Sequence, residues 1–347
     1  MTGEVAAVDP RAEEALDRMG RISAIRPGEE EAVARFYAGF EREARPLEFW
    51  RRRLQLWWRD NPAYHEGWPL GTKMTAGGKI VGVIAAVPTR ILYGGEEVVA
   101  ASLTTWRVEK NFRSGSIGMF EAVLADHSER MVVDGTPTPG VVHLLRRYGF
   151  EQPRDQFAAT RFVCNWWRML KRRCGRPPAA LLSSRLYLDS RPATEADLAP
   201  LVDDLWQRTR TQFATASVRD STYLHWFCQQ GRMPGRFGVV ATGRDGRAAA
   251  MAIGLDMGGG VAWLVDIWGD FNHHAGIASV ISRARSHARR LGFHSLWVPH
   301  FHPIVAGVCG EARSADIPAS AFFRLPAAWE KSRAPSFWSI ASGDFGV

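Results

Sequence analysis

Val108-Glu109-Lys110-Asn111-Phe112-Arg113-Ser114-Gly115-Ser116-Ile117-Gly118 is the stretch on which the reading of this chain turns. Before it, Val98 to Val108 reads as a long strand; after it, a helix carries Phe120, Val123, Leu124 and His127. Small residues let backbone N–H groups converge on one point, where the helix N-terminus adds about half a positive charge. Arg113 stands beside that point. The combination suits a pyrophosphate. Serines 114 and 116 keep such a turn tight, although a position needing positive φ would resist them.

Upstream, Ile22 to Arg26 reads as a short strand ended by Pro27-Gly28, and Glu29 to Phe40 as a helix with Ala32, Val33, Phe36, Tyr37 and Phe40 on one face. A second helix runs from Leu47 to Trp58 and stops before Asn61-Pro62. Strands follow at Gly71 to Thr75 and Lys79 to Val87, joined by Ala76-Gly77-Gly78. Downstream come a strand at Met131 to Asp134, a short helix at Gly140 to Tyr148 and a strand at Phe157 to Cys164.

Residues 166–184, with Arg176-Pro177-Pro178 and a basic cluster from Arg168 to Arg176, read as a linker. Beyond it the order restarts. Strands are expected at Leu186 to Leu188, Phe237 to Thr242, Ala248 to Asp256, Val261 to Trp268 and His294 to Val298. Helices are expected at Leu198 to Trp206, Thr222 to Gln229 and Gly276 to Leu291. This suggests a diverged internal duplication: a lead-in over residues 1–20, one domain over 21–165, the linker, and a second domain over 185–347. At 347 residues the chain is long enough for two cores.

The 108–118 segment resembles the acetyl-CoA loop of the GCN5-related N-acetyltransferase (GNAT) superfamily, which reads Val, three residues, an aromatic, then Arg-Gly-x-Gly-x-Gly/Ala. Val108, Phe112, Arg113 and Gly118 match, while Ser114 and Ser116 replace the central glycines. A second family hallmark, a short helix ending in Gly-Phe, is supplied by Leu145-Arg146-Arg147-Tyr148-Gly149-Phe150. The resemblance covers positions 21–164. It implies an α/β (α+β) fold of two tandem domains, each a mixed, mainly antiparallel sheet flanked by helices, with strand four splayed from strand five to admit a pantetheine arm. Trp106, Arg107 and Val108 would meet that arm through their backbone, and the amides of Arg113, Ser114, Gly115, Ser116, Ile117 and Gly118 would hold the pyrophosphate.

For catalysis the resemblance implies direct attack of an amine on the thioester, with a strand-four N–H polarising the carbonyl. Many members carry a Tyr four residues before the Gly of the Gly-Phe pair; Leu145 stands there instead. Tyr148 lies roughly 60° around the helix and is the candidate proton donor. Glu109 is a candidate base. In the second domain the loop is replaced by Asp266-Ile267-Trp268-Gly269-Asp270-Phe271, whose acids would repel a pyrophosphate. That domain is expected to shape the acceptor site, with Asp266 as a cation-binding or basic residue.

Composition narrows the classes. The net charge is +8, with 44 Lys+Arg against 36 Asp+Glu. The basic residues are scattered and almost all arginine, so nucleic acid is not the expected partner. No apolar run is long enough to span a membrane. The acidic N-terminus lacks a signal-peptide core, and the four cysteines share no CxxC spacing, so a cytoplasmic protein is expected. His273-His274, His294, His300, His302 and Cys309 lack a recognisable ligand spacing, and no metal is expected; His300 or His302 is an alternative base. Trp57-Trp58 and Trp166-Trp167 are expected to fill cores and interfaces. The expected activity is acyl-CoA-dependent N-acylation, acetyl by default, of a small-molecule, sugar or natural-product amine. The alternatives are a Fem-like transferase using aminoacyl-tRNA, a non-catalytic CoA-binding or scaffold protein, and a GNAT-fold acyl-thioester decarboxylase.

Overall fold

The computed structural model describes residues 20–41, 43, 45–135, 137–152, 156–171, 185–228, 235–310, 314–318, 322–329 and 336–337. Most of the expected linker, with Cys174, therefore lies outside the described residues. The chain forms two compact units. The first comprises residues up to Thr89, Val99–Asp134 and Arg324–Trp329; the second comprises Arg90–Val98, Gly135–Phe323 and the remainder.

In the first unit the order is β1 (Arg21–Ala24), α1 (Glu30–Gly39), α2 (Leu47–Trp57), β2 (Gly71–Ala76), β3 (Lys79–Tyr93), β4 (Glu96–Val108), a 3₁₀ helix (Lys110–Gly115), α3 (Ser116–Asp126) and β5 (Val132–Asp134). The strands lie side by side in sequence order. β1–β2 and β2–β3 are antiparallel and β4–β5 is parallel. α1 starts well because Glu30 and Glu31 occupy its positive end. It buries Val33, Phe36 and Tyr37 at helical spacing. Val83, Ile84 and Val87 of β3 are essentially inaccessible, and burying each such side chain is worth roughly 1.5–3 kcal/mol.

β3 runs six residues past the expected stop at Val87. Pro88 does not end it; the proline carbonyl accepts a hydrogen bond from Asn61 Nδ2 at 2.9 Å. The β3–β4 hairpin turns at Gly94 and Gly95, with φ of 60° and 92°, the paired positive values of a type I′ turn.

The second unit contains α4 (Pro139–Arg147), β6 (Gln156–Val163), α5 (Trp166–Lys171), β7 (Arg185–Leu188), β8 (Arg191–Pro192), α6 (Glu195–Thr209), β9 (Thr215–Ser217) and α7 (Ser221–Cys228). It continues with β10 (Arg236–Thr242), β11 (Ala248–Asp256), β12 (Val261–Gly269), α8 (His274–Arg290), β13 (Ser295–Pro299), α9 (Pro303–Cys309), β14 (Ser314–Pro318), β15 (Phe322–Arg324) and β16 (Ser336–Phe337). Its sheet runs β14-β6-β13-β12-β11-β10-β7-β8. α6 opens on a reciprocal capping box, in which Thr194 accepts from the Asp197 amide and Asp197 accepts from the Thr194 amide.

Three expectations change. The strand at 156–163, expected in the first domain, pairs antiparallel with β13 and β14, so residues 135–165 belong to the second unit rather than to a domain ending at 165. Its partners lie far along the chain, where local pattern gives no hint of them. A helix, α9, forms after His302, where none was expected, because Pro303 sits at its first turn and His302 caps it. Trp57 and Trp58 are buried as expected, but Trp166 and Trp167 are exposed, at 58% and 74%.

One element order recurs in both units. β4, α3 and the parallel β5 of the first unit match β12, α8 and the parallel β13 of the second.

Candidate functional site

β4 and β5 are in register only from Ala101–Val132 to Leu103–Asp134, while β4 runs on to Val108. β5 ends at Asp134, so beyond Leu103 β4 has no β5 partner along that edge. In a regular strand, backbone groups of alternate residues point to alternate edges. The Ala101 amide donates to Met131 O, on the β5 side, and the Glu109 amide donates to Val81 O, on the β3 side. An even separation should put both on the same edge. One extra residue has reversed the phase.

That residue is Thr105, with φ of 51°. A β-branched residue in the left-handed region is a true outlier, worth on the order of 1–3 kcal/mol of strain. The buried Tyr37 hydroxyl of α1 donates to Thr105 O at 3.1 Å. Past the reversal, the backbone groups of Trp106 and Val108 face the side that β5 has vacated. Those of Arg107 face β3. Of the three residues expected to offer backbone to an arm, Trp106 and Val108 turn that way and Arg107 does not. Its side chain turns instead to the α1–α2 face, where it pairs with Glu43 at 2.6 Å and lies 5.0 Å from the Trp50 ring centroid. On the other face Trp106 stacks on Phe120 of α3 at 5.2 Å.

The segment after β4 is wound rather than open. No residue from 113 to 118 has positive φ, so Ser114 and Ser116 sit without strain. The 3₁₀ coil spends amides on carbonyls three residues back, and Ser116 returns both its amide and its hydroxyl (2.7 Å) to Arg113 O. Pyrophosphate-holding amides cannot therefore come from the whole run 113–118. α3 begins at Ser116 with no side-chain cap, which leaves Ile117 and Gly118 as the first-turn donors. Gly118 also admits Ile22, whose Cδ1 would lie 3.1 Å from any Cβ there.

Beside this turn lies a cleft of about 480 Å³ lined by residues that include Phe36, Phe40, Glu109, Lys110 and Arg113. Among the described residues Lys110 and Arg113 make no ion pair, and both side chains line this cleft together with Glu41 and Glu109. Glu109 is exposed; its amide is fixed to Val81 and its carbonyl accepts from Phe112.

No protein-family model and no curated protein matches the chain by sequence. Solved structures match by shape. The yeast (Saccharomyces cerevisiae) N-myristoyltransferase with bound myristoyl-CoA superposes with a TM-score of 0.52 at 12% identity, over 88% of this chain and 77% of that one. A probable N-acyltransferase from Enterococcus faecalis gives 0.57 at 14% identity, over 88% and 72%. A GCN5-related N-acetyltransferase from Kribbella flavida gives 0.54 at 14% identity, over 89% and 72%. The chain has the GNAT fold.

Within the GNAT fold, the Gly-Phe helix end has a plain physical cause. Gly149 adopts φ of 80°, the Phe150 amide bonds Leu145 O and the Gly149 amide bonds Arg146 O, which together form a Schellman cap. Leu145 and Phe150 are both buried, so the position at which the resemblance leads one to expect a tyrosine belongs to the core here. Tyr148 is half-buried at the helix end and belongs to the second unit, whereas Glu109 and Arg113 belong to the first.

In the second unit β12 stays in register with β13 only from Val261 to Trp263, and its pairing with β11 slips between Leu264 and Asp266. The splay and the extra residue recur, but the site does not. Asp266, expected as a base or cation ligand, is fully buried; its Oδ2 lies 2.8 Å from Arg219 Nε and accepts from the Tyr223 hydroxyl at 3.1 Å. It is already spent on an internal ion pair. The turn into α8 is closed by Asp270, which accepts from the Asn272 amide and sits 2.8 Å from His273 Nδ1. Phe271 packs there against Phe213, Trp268 and Phe337.

His294, His300 and His302 make structural contacts. His300 Nε2 lies 2.8 Å from Thr160 Oγ1, and burial holds its ring below the usual imidazole range. His302 accepts from the Ile304 amide, and His294 bridges Ser295 Oγ and Gly259 O. No described helix is long and apolar enough to cross a membrane. Sequence reasoning missed Thr105 and Tyr37: nothing marks a threonine for positive φ, and Tyr37 sits at an ordinary core spacing.

Proposed function

We propose that the protein is an acyl-CoA-dependent N-acyltransferase. The observation that carries this reading is the phase reversal at Thr105, which turns the backbone of Trp106 and Val108 toward the side β5 vacates. A pantetheine arm there would pair with Val108, and the Trp106 N–H would meet the thioester oxygen. The pyrophosphate would rest on the Ile117 and Gly118 amides, with Lys110 and Arg113 neutralising it. Ser114, Gly115 and Ser116 shape the turn that presents those groups.

In the reaction the acceptor nitrogen attacks the carbonyl carbon, and charge builds on an oxygen held by a fixed donor. The tetrahedral species collapses with loss of the C–S bond. The amine proton passes to a base, for which Glu109 is the proposed group, through water. The departing thiolate takes a proton from water. Acetyl is the proposed acyl group, and a small-molecule or sugar amine the proposed acceptor. A non-catalytic CoA-binding role is the second reading, favoured by the buried Leu145 and by the engagement of Asp266 with Arg219.

Calorimetric titration with CoA, acetyl-CoA and myristoyl-CoA at two salt concentrations tests this. Binding that weakens with salt, followed by amide formation across a panel of amines, is the expected result. Binding without turnover on any amine selects the second reading. Absence of binding at both salts overturns both.

A further inference from the structure

The hydroxyl of Tyr37 is buried and donates to Thr105 O, the carbonyl of the residue that carries the unfavourable backbone angle. In a trans peptide the carbonyl and the following N–H point in opposite directions. Tyr37, by fixing Thr105 O on the α1 side, therefore also fixes the direction of the Trp106 N–H. Threonine resists φ of 51°, and a strand relieved of that angle would return to regular alternation, with the Trp106 N–H directed at β3. The geometry points to Tyr37 as a positioning residue: its hydroxyl keeps the Thr105–Trp106 peptide turned so that the Trp106 N–H serves as the donor to the acyl thioester oxygen.

This inference rests on the proposed acyl-CoA reading for the identity of the acceptor oxygen, but the hold of Tyr37 on the peptide is a property of the free protein. The surroundings suit the role. The Tyr37 ring lies 4.6 Å from the Trp50 ring and 5.7 Å from the Arg107 guanidinium, so the side chain is anchored by packing independent of its hydroxyl. Tyr37→Phe removes the bond and keeps that packing. Thr105→Gly removes the resistance of a β-branched residue to positive φ, so the turned peptide no longer needs the hydroxyl.

Two measurements test it on the full chain. The first is ligand-free amide hydrogen exchange at Trp106 by NMR. In the wild type this amide faces the side β5 has left. In Tyr37→Phe it should pair with β3 and exchange roughly tenfold more slowly or less. In the Tyr37→Phe/Thr105→Gly double variant it should return toward the wild-type rate. The second is the infrared carbonyl stretch of acetyl-CoA labelled with ¹³C at the acyl carbon. It should shift to lower frequency on binding the wild type, lose most of that shift in Tyr37→Phe, and regain it in the double variant. Acetyl-CoA affinity should stay within about threefold, because the donor acts on one atom of a large ligand.

Equal Trp106 exchange in wild type and Tyr37→Phe overturns the inference, whatever the ligand does. So does a carbonyl shift that survives in Tyr37→Phe. If the wild type binds no acyl-CoA, the acyltransferase reading fails, and the exchange measurement still decides whether Tyr37 turns the peptide.

Discussion

Arg219 Nε and Asp266 Oδ2 lie 2.8 Å apart with neither side chain reaching solvent, and the guanidinium is held 4.9 Å from the ring centroids of both Trp268 and Phe337. A buried pair of this kind contributes modestly as a pair, but removing one member strands the other charge. Asp266→Ala should therefore lower stability by about 3–5 kcal/mol in urea unfolding. Acyl-CoA affinity, measured where the variant is still folded, should not change. A loss of affinity at full stability would instead make Asp266 part of the site.

Arg113 and Lys110 are exposed and form no ion pair among the described residues, so charge reversal there should leave folding intact. Arg113→Glu should weaken CoA binding by roughly 10–100-fold at low salt, and Lys110→Glu by less, since each replaces an attraction with a repulsion. Both variants should flatten the dependence of affinity on salt. Calorimetry at two ionic strengths reads both effects.

His127 sets a pH dependence. Burial pushes its imidazole down to about 4, the nearby Arg130 adds to this, and the Pro69 carbonyl opposes it. The unfolded chain takes up a proton near the usual value of about 6.5, while the native chain holds off until much lower pH. Unfolding is therefore favoured progressively as pH falls from about 6.5 to about 4, at a cost on the order of 3 kcal/mol across the window. Urea midpoints at several pH values should follow that slope, and His127→Phe should flatten it.

Gly149 carries φ of 80° at the end of α4. Any side chain there opposes the left-handed angle that closes the cap. Gly149→Ala should cost about 1 kcal/mol, read as a lowered thermal midpoint.

Burial raises the thiols of Cys164 and Cys309 to about 11 and that of Cys228 to about 12. A thiol nucleophile must be ionised to react. These three should resist Ellman's reagent at pH 8 in the native protein and titrate fully in guanidinium.

The sequence made the elements legible where local chemistry dictates them. Ala248–Asp256 is a strand at its expected bounds, and α2, α3 and α8 fall within a few residues of theirs, because apolar spacing and helix-end residues act over one or two turns. The GNAT fold followed from the order of those elements together with Arg113, Gly118 and the Gly149-Phe150 pair. What escaped depends on long-range contacts. Thr105 adopts its angle because Tyr37, 68 residues away, rewards it. Asp266 reads as a stranded strand carboxylate until Arg219 is seen beside it, 47 residues earlier. The strand at 156–163 has the right pattern in the wrong sheet, since alternation says that one face is buried but not against which partner.

That last strand bears on how the protein is made. Arg161 of β6 bonds Ser295 of β13, 134 residues later. At a synthesis rate of about 5–20 residues per second, β6 leaves the ribosome on the order of ten seconds before that neighbour exists. Throughout that interval it is an unsatisfied edge, open to chaperones or to a sister chain. Cutting the gene within residues 172–184 would make the wait permanent. The upstream product would carry β6 with no sheet to join, and the downstream product would retain β13 and β14 with the strand between them missing.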